Sequence, residues 1–285
     1  MKRKQKPEVS IIGAGRLGTT LAVALADKNY LIQSLVARRS QSARKAAGFL
    51  DGKTQALAVK QLDSLKPSQL FLIATPDDQI AGVAAQLARL EARRKPTALH
   101  TSGALSSEVL APLREKGWGT GSIHPLISVS GMQTSALPGA FWSVEGDNTA
   151  LRVGKAIVRD LGGKSFSIRS EDKPLYHAAA VMTAGNVVAL FDVALEMLVQ
   201  CGLTRKTARS VLLPLIASTV RNLETKDPAD ALTGTFARGD LETVKLHLAA
   251  LKRNKVALDL YRLLGQRSLK LTKDHPQISQ MLDSV

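Results

Sequence analysis

The chain has 285 residues, more than one hydrophobic core usually serves, so two packed units are expected. Its 45% hydrophobic and 22% charged content excludes a disordered, collagen-like or disulfide-built protein. A formal charge of +15 favours anionic ligands, but the 4% aromatic content offers few surfaces on which bases could stack and no nucleic-acid-binding motif is present, which argues against a nucleic-acid partner.

Lys2, Arg3, Lys4 and Lys6 make residues 1–7 a basic tail, without the apolar segment that a signal peptide carries. Residues 9–12 read as a strand and 16–28 as a helix with Leu17, Leu21 and Leu25 on one face. A strand over 31–37, a helix over 41–49, a buried strand over 70–74 and a helix over 80–94 follow, the last ending in Arg89, Arg93, Arg94 and Lys95. Further strands are expected at 97–100, 121–124, 141–145 and 165–168. Strands that alternate with helices predict an α/β, doubly wound parallel sheet over residues 8–169, with the strand C-termini on one edge. From 170 to 285 the pattern is all-helical. One long helix is expected over 172–199, with Val181, Ala184, Val188, Phe191, Leu195 and Leu198 in a seam that is buried either within the chain or in a homodimer. Helices at 203–223, 241–251 and 255–271 follow, bearing basic residues from Lys245 to Lys273. The longest uncharged apolar stretch, 178–191, suits a buried helix rather than a bilayer span, so no membrane partner is expected. Cys201 is the single cysteine and no metal-ligand cluster is present, which points to a reducing, cytoplasmic setting without disulfides or metal.

Gly13-Ala-Gly15-Arg-Leu-Gly18 fits G-x-G-x-x-G between a strand and a helix, the setting that gives this pattern meaning. Gly13 suits a tight turn, Gly15 lets a pyrophosphate approach the backbone and Gly18 permits close helix–strand packing; Arg16 and Leu17 open the helix whose free N–H groups face the phosphates. Sites that take NAD usually carry an acid at the end of the second strand, but here the residues are Ala37, Arg38, Arg39 and Ser40. Two guanidiniums and a hydroxyl suit a 2′-phosphate, so NADP (NADPH) is the expected cofactor. Ala74, Thr75 and Pro76 close one strand on the ligand edge, and Thr101, Ser102 and Gly103 close the next. Both sets are expected against cofactor, with Ser102 also near substrate, unless they serve only as helix caps.

The GAGRLG turn, the ATPDD strand end and the segments HTSGALSS, SIHPL and LTGTFARGD together resemble Rossmann-like proteins whose C-terminal part is the domain DUF2520. Such proteins are similar to ketopantoate reductases, pyrroline-5-carboxylate reductases, prephenate dehydrogenases and F420-dependent NADP reductases. The resemblance implies an N-terminal Rossmann domain that binds NADP, an all-helical C-terminal domain, often a homodimer, and hydride transfer between NADPH and a small keto- or imino-acid. Ketopantoate is one such substrate.

Few side chains are suited to managing the accompanying proton. His124 precedes Pro125 and resembles the substrate-facing histidine of prephenate dehydrogenases; the alternative is a strand-end cap. Lys173 and His177 share a helix face at i, i+4 and would offer a cation and a proton donor to a small anionic substrate. Asn186 lies about half a turn around from His177, so either His177 or Asn186 with Thr183 faces the cleft, and Gly185 marks a place where the helix can bend. Ketopantoate reductases place a lysine shortly before an asparagine in this helix, whereas residues 178–182 contain none. Arg238 is a candidate grip for a substrate carboxylate, while Asp240 is an N-cap for the next helix on a purely local reading. A non-catalytic NADP-binding sensor or scaffold is the alternative to a reductase.

Overall fold

The computed structural model describes residues 6–91, 95–129, 131–272 and 275–284; Lys2, Arg3, Lys4, Arg93, Arg94 and Lys273 lie outside the described residues. The chain folds as two compact units, 1–184 and 185–285.

The first unit contains β1 (Glu8–Ile12), α1 (Arg16–Asp27), β2 (Leu31–Ala37), α2 (Ser40–Ala47), β3 (Gln55–Ala58), β4 (Leu70–Ile73), α3 (Asp77–Leu87) and β5 (Thr97–His100). It continues through α4 (Ala111–Glu115), β6 (Gly119–Pro125), β7 (Phe141–Gly146), α5 (Asn148–Asp160), β8 (Lys164–Ser167) and α6 (Lys173–Thr183). Eight strands form one sheet in the order β3-β2-β1-β4-β5-β6-β7-β8. Side chains alternate across it. Val9, Ile11, Leu70 and Leu72 belong to one core with Leu21 and Leu25 of α1 and Ile157 of α5. Ile12, Phe71, Ile73 and Ala98 belong to the other, with Ile80 and Leu87 of α3 and Leu113 of α4.

Several features depart from expectation. The sheet is parallel from β3 to β6, but β7 runs antiparallel to β6 and carries β8 with it. Strand β3 and helix α5 were not anticipated: the strand is only four residues long, and α5 follows the N-cap Asp147, whose carboxylate accepts from the N–H groups of Thr149 and Ala150. Helix α3 starts at Asp77 rather than at 80, because Pro76 fixes the turn before it and Asp77 and Asp78 favour a first turn. The boundary between units also falls at 184/185 instead of 169/170, since α6 packs its first turns on the sheet.

The expected long helix is interrupted. Ala184 has φ −110° and ψ −70°, and α7 (Gly185–Gln200) starts immediately after it, so Gly185 marks a break between two helices. By length and composition the segment 170–200 nevertheless contains an 18-residue stretch apolar enough to cross a membrane, with a mean hydropathy of 1.8, and 6% of that stretch is buried.

The second unit is all-helical: α7, α8 (Arg205–Thr225), α9 (Pro228–Ala231), α10 (Thr235–Arg238), α11 (Leu241–Leu251), α12 (Lys255–Leu269) and α13 (Pro276–Asp283). Its core centres on Val244, Ile278 and Leu282. Helices α7 and α8 stay outside that core; Val188, Val211, Leu215 and Val220 are exposed along them.

Candidate active site

The turn after β1 opens a cleft of ≈ 440 Å³ along the C-terminal edge of the sheet. Gly13 has φ +111°, a conformation that side chains disfavour, and a Cβ there would come within 2.7 Å of the Thr75 nitrogen. Its N–H and that of Ala14 both donate to the Val36 carbonyl, which fastens the turn to β2. At Gly18 an added Cβ would strike the Gly13 carbonyl oxygen, whereas at Gly15 it would meet nothing within 4 Å. Gly15 therefore borders open space. It is the N-cap of α1, no side chain caps the helix, and no acidic residue occupies its first turn, so its first N–H groups and positive end stay available to an anion.

Of the expected contacts, Gly13, Gly15, Ala37, Arg38, Arg39, Ala74, Thr75 and Pro76 line this cleft together. Arg16, Leu17 and Gly18 do not line it with side chains: they form the first turn of α1, and Leu17 packs against the core. Ser40 begins α2 without lining the cleft, and Ser42 stands there instead; Gln79 is another lining residue that the sequence reading missed. Both sit in the first turn of a helix that starts at the ligand edge, and this is the signal that points to them. Arg38 and Arg39 are exposed and have no ion-pair partner among the described residues. Thr75 Oγ1 is buried and has no hydrogen-bond partner among the described residues. A dinucleotide fits these features: phosphates against the α1 terminus, a 2′-phosphate against the guanidiniums, and a polar atom for the Thr75 hydroxyl.

Farther along the same edge, beyond β5 and β6, a second set of groups converges. His100 of β5 pairs with Ser122 of β6, and Ser122 pairs with Glu145 of β7, which gives one buried polar row across three strands. Lys173, in the first turn of α6, lies over this row at 0% exposure. Its Nζ donates to the Ser102 carbonyl (3.0 Å) and to Ser122 Oγ (2.6 Å). Glu145 accepts from the Ser107 N–H and hydroxyl, from Ser170 Oγ and from Ser122 Oγ. Burial alone would raise the Glu145 carboxyl, but the bonds from Ser107 and Ser170 and the Lys173 cation hold it below its usual range. Burial pulls Lys173 down to about 8 against the opposing attraction of Glu145 and Asp77.

The expected site residues divide sharply here. Ser102 was expected against cofactor and substrate, but its polar atoms are all engaged within the protein. Its N–H donates to His100 Nδ1, its carbonyl accepts from Lys173, and its hydroxyl donates to Asp77 while accepting from the Ala104 and Leu105 N–H groups. Lys173 was expected to face a ligand and is sealed off instead. Thr101 is buried, its hydroxyl turned to the Ile73 carbonyl.

Gly103 is the residue of this loop that meets other candidate groups. A Cβ there would collide with His177 Nδ1 and come within 2.9 Å of His124 Cε1 and Nε2, so the absence of a side chain lets two imidazoles close over the backbone. The rings stand 5.4 Å apart, nearly perpendicular. His124 Nδ1 is 2.8 Å from the Tyr176 hydroxyl. Burial, then His177 and Lys173, lower His124 to about 4, so its ring is neutral at physiological pH. Burial raises Tyr176, which keeps it a phenol; where that phenol donates to Nδ1, the ring proton of His124 is on Nε2, and where it accepts from Nδ1–H, Nε2 is the acceptor.

Thr183 is exposed and its hydroxyl returns to the Ala179 carbonyl. Asn186 and Arg238 are exposed residues of the second unit. Asp240 caps α11 through the Thr243 N–H, as its local reading requires.

Comparison with known proteins agrees with this architecture. Residues 2–125 match the model of the Rossmann-like domain and residues 140–268 that of the domain of unknown function DUF2520. No curated protein sequence matches the chain. Among solved structures it is similar to a candidate NADP oxidoreductase, BF3122 of Bacteroides fragilis (25% identity, TM-score 0.77, covering 93% of this chain and 99% of that one). It is equally similar in sequence to TM1727 of Thermotoga maritima (25%, TM-score 0.74, covering 93% and 98%). An imine reductase of Myxococcus stipitatus in complex with NADP+ shares the fold (16%, TM-score 0.65, covering 98% and 100%). Pyrroline-5-carboxylate reductases and a prephenate dehydrogenase share it as well.

Proposed function

We propose that the protein transfers hydride between NADPH and a small anionic keto- or imino-acid, with ketopantoate-like compounds among the substrates to test. The observation that carries this reading is the cleft beside Gly13 and Gly15, with unpaired Arg38 and Arg39 where an NAD site usually has an acid, and with the orphaned Thr75 hydroxyl in its wall. Bound NADPH supplies the hydride. The protein's own part is to hold phosphates on the α1 terminus and the guanidiniums, and to present the ring proton of His124 Nε2 above Gly103, where the oxygen or nitrogen of a reducible C=O or C=N group can accept a hydrogen bond. Tyr176, donating to Nδ1, fixes that tautomer, and His177 closes the other side.

The exposed apolar faces of α7 and α8 support a homodimer through the second unit. The exposed, unpaired Cys201 suits a reducing cytoplasm. The functional reading is tested by following the absorbance of reduced nicotinamide against a panel of 2-keto acids, ketopantoate and cyclic imines, with cofactor fluorescence recorded in parallel. Turnover of one compound with NADPH bears the proposal out. Tight NADPH binding with no turnover across the panel moves the reading to a sensor, and absence of NADPH binding overturns both.

A further inference from the structure

The first two turns of α6 carry two kinds of side chain: Lys173, which is sealed inside, and Tyr176 and His177, which meet His124 and Gly103. The two sets are mechanically linked. Lys173 reaches the Ser102 carbonyl, one residue before Gly103, and Ser122, two residues before His124 on the same strand face. Ser122 passes the contact to Glu145, and Glu145 accepts from Ser170 in the segment leading into α6 and from Ser107 beyond the 103 loop. One buried cation and one buried carboxylate, bridged by a hydroxyl, thus tie together every segment that contributes to the fork of Gly103, His124 and His177.

Burying a cation and a carboxylate that meet only through the Ser122 hydroxyl is a poor source of stability, because desolvation offsets most of the attraction. A pair of apolar residues would hold two surfaces together as well, but it would not fix a direction. Hydrogen bonds from an ammonium to a carbonyl and a hydroxyl do so, through their distance and angle. We infer that Lys173, Ser122 and Glu145 form a single positioning device, which sets the orientation of α6 on the sheet and thereby the relation of His177 and Tyr176 to His124 over Gly103. Lys173 is on this account a positioning residue, with no direct part in proton transfer. The turnover arm of the test rests on the reductase reading, while the spectroscopic arm does not.

Full-length protein with labelled histidine rings is compared with Lys173→Met, Glu145→Gln and the double variant. Each single change leaves a buried charge without its partner and lowers the thermal midpoint; the double variant removes both charges and recovers most of that loss. If the pair positions the fork, the double variant still loses the nuclear Overhauser cross-peak between the His124 and His177 rings. Its kcat falls by about 100-fold, the effect of a displacement on the order of 1 Å at a reacting centre, while NADPH affinity is unchanged. Recovery of midpoint, cross-peak and turnover together in the double variant would make the pair a plain staple and overturn the inference. Should the charge variants fail to fold, Ser122→Ala keeps both charges and removes only the bridge: a weakened ring cross-peak supports the device, and an unaltered one refutes it. If the wild-type protein turns over no substrate while the cross-peak still depends on Lys173 and Glu145, the reductase reading fails and the positioning device stands.

Discussion

Residues 38 and 39 on one side and residue 103 on the other are where cofactor recognition and substrate chemistry are expected to separate. Arg38 and Arg39 stand unpaired in the cleft where a ribose-binding acid is usual. Replacing both with alanine is expected to weaken NADPH by about 10- to 100-fold, the size of one lost hydrogen bond to charge, and to leave NADH almost unaffected. Fluorescence titration with the two nucleotides measures this directly, and equal losses would remove the 2′-phosphate from these side chains. Gly103 makes the opposite prediction. A methyl group at 103 collides with His177 Nδ1 and crowds His124, so Gly103→Ala should depress turnover strongly while the Kd for NADPH stays the same, because no residue of this loop lines the cofactor cleft. Steady-state kinetics alongside binding separates the two effects.

At the scale of elements, the alternation of strands and helices was legible because β1, β2 and β4 carry short apolar runs and the glycine turn is a local pattern. Four-residue β3 and the reversal of β7 were not, since pairing direction is set by neighbours distant in sequence rather than by the strand itself. The chemistry divides the same way. Gly13, Gly15 and Arg38, which line the cleft, are named from spacing, and His124, on β6, is named from the segment SIHPL and its resemblance. Glu145, Ser122 and Tyr176 could not be found this way, because what matters is the register His100–Ser122–Glu145 and a lysine that reaches 71 residues back along the chain. Lys173, expected to face a ligand, is fully buried instead. The seam expected over 172–199 is cut at Ala184; of its α7 part Leu195 is buried, but much apolar surface on α7 and α8 faces outward. Val188 is 70% exposed and Leu215 64%. Val188→Glu combined with Leu215→Glu should shift the protein from dimer to monomer in sedimentation. Unchanged mass would show that these faces do not join two copies.

For the molecule as a whole, buried histidines shape the response to acid. Burial lowers both His100 and His124 from 6.5 to about 4, the Lys173 cation adding to the effect on each. Above about pH 6.5 neither folded nor unfolded chain binds these protons, so stability is fully present there. Between 6.5 and 4 the unfolded chain takes up protons that the folded one refuses, and stability falls as pH falls, by about 1.4 kcal/mol per pH unit for each histidine. Urea unfolding from pH 7 to 5 reads this slope, and His100→Gln should remove one histidine's share of it. A flat profile in the wild-type protein would place both rings in wetter surroundings.

The bare backbone at 103 has a consequence for how sequences of this kind can drift. Two rings occupy the space that a side chain at 103 would need, so positions 103, 124 and 177 cannot change independently. A lineage that acquires alanine or serine at 103 must trade a ring for a smaller residue at 124 or 177, and one that gives up either ring relieves the demand for glycine. Across related sequences these three positions should therefore be inherited as one character. A homologue with both histidines and a bulky residue at 103 would have to house its chemistry somewhere else.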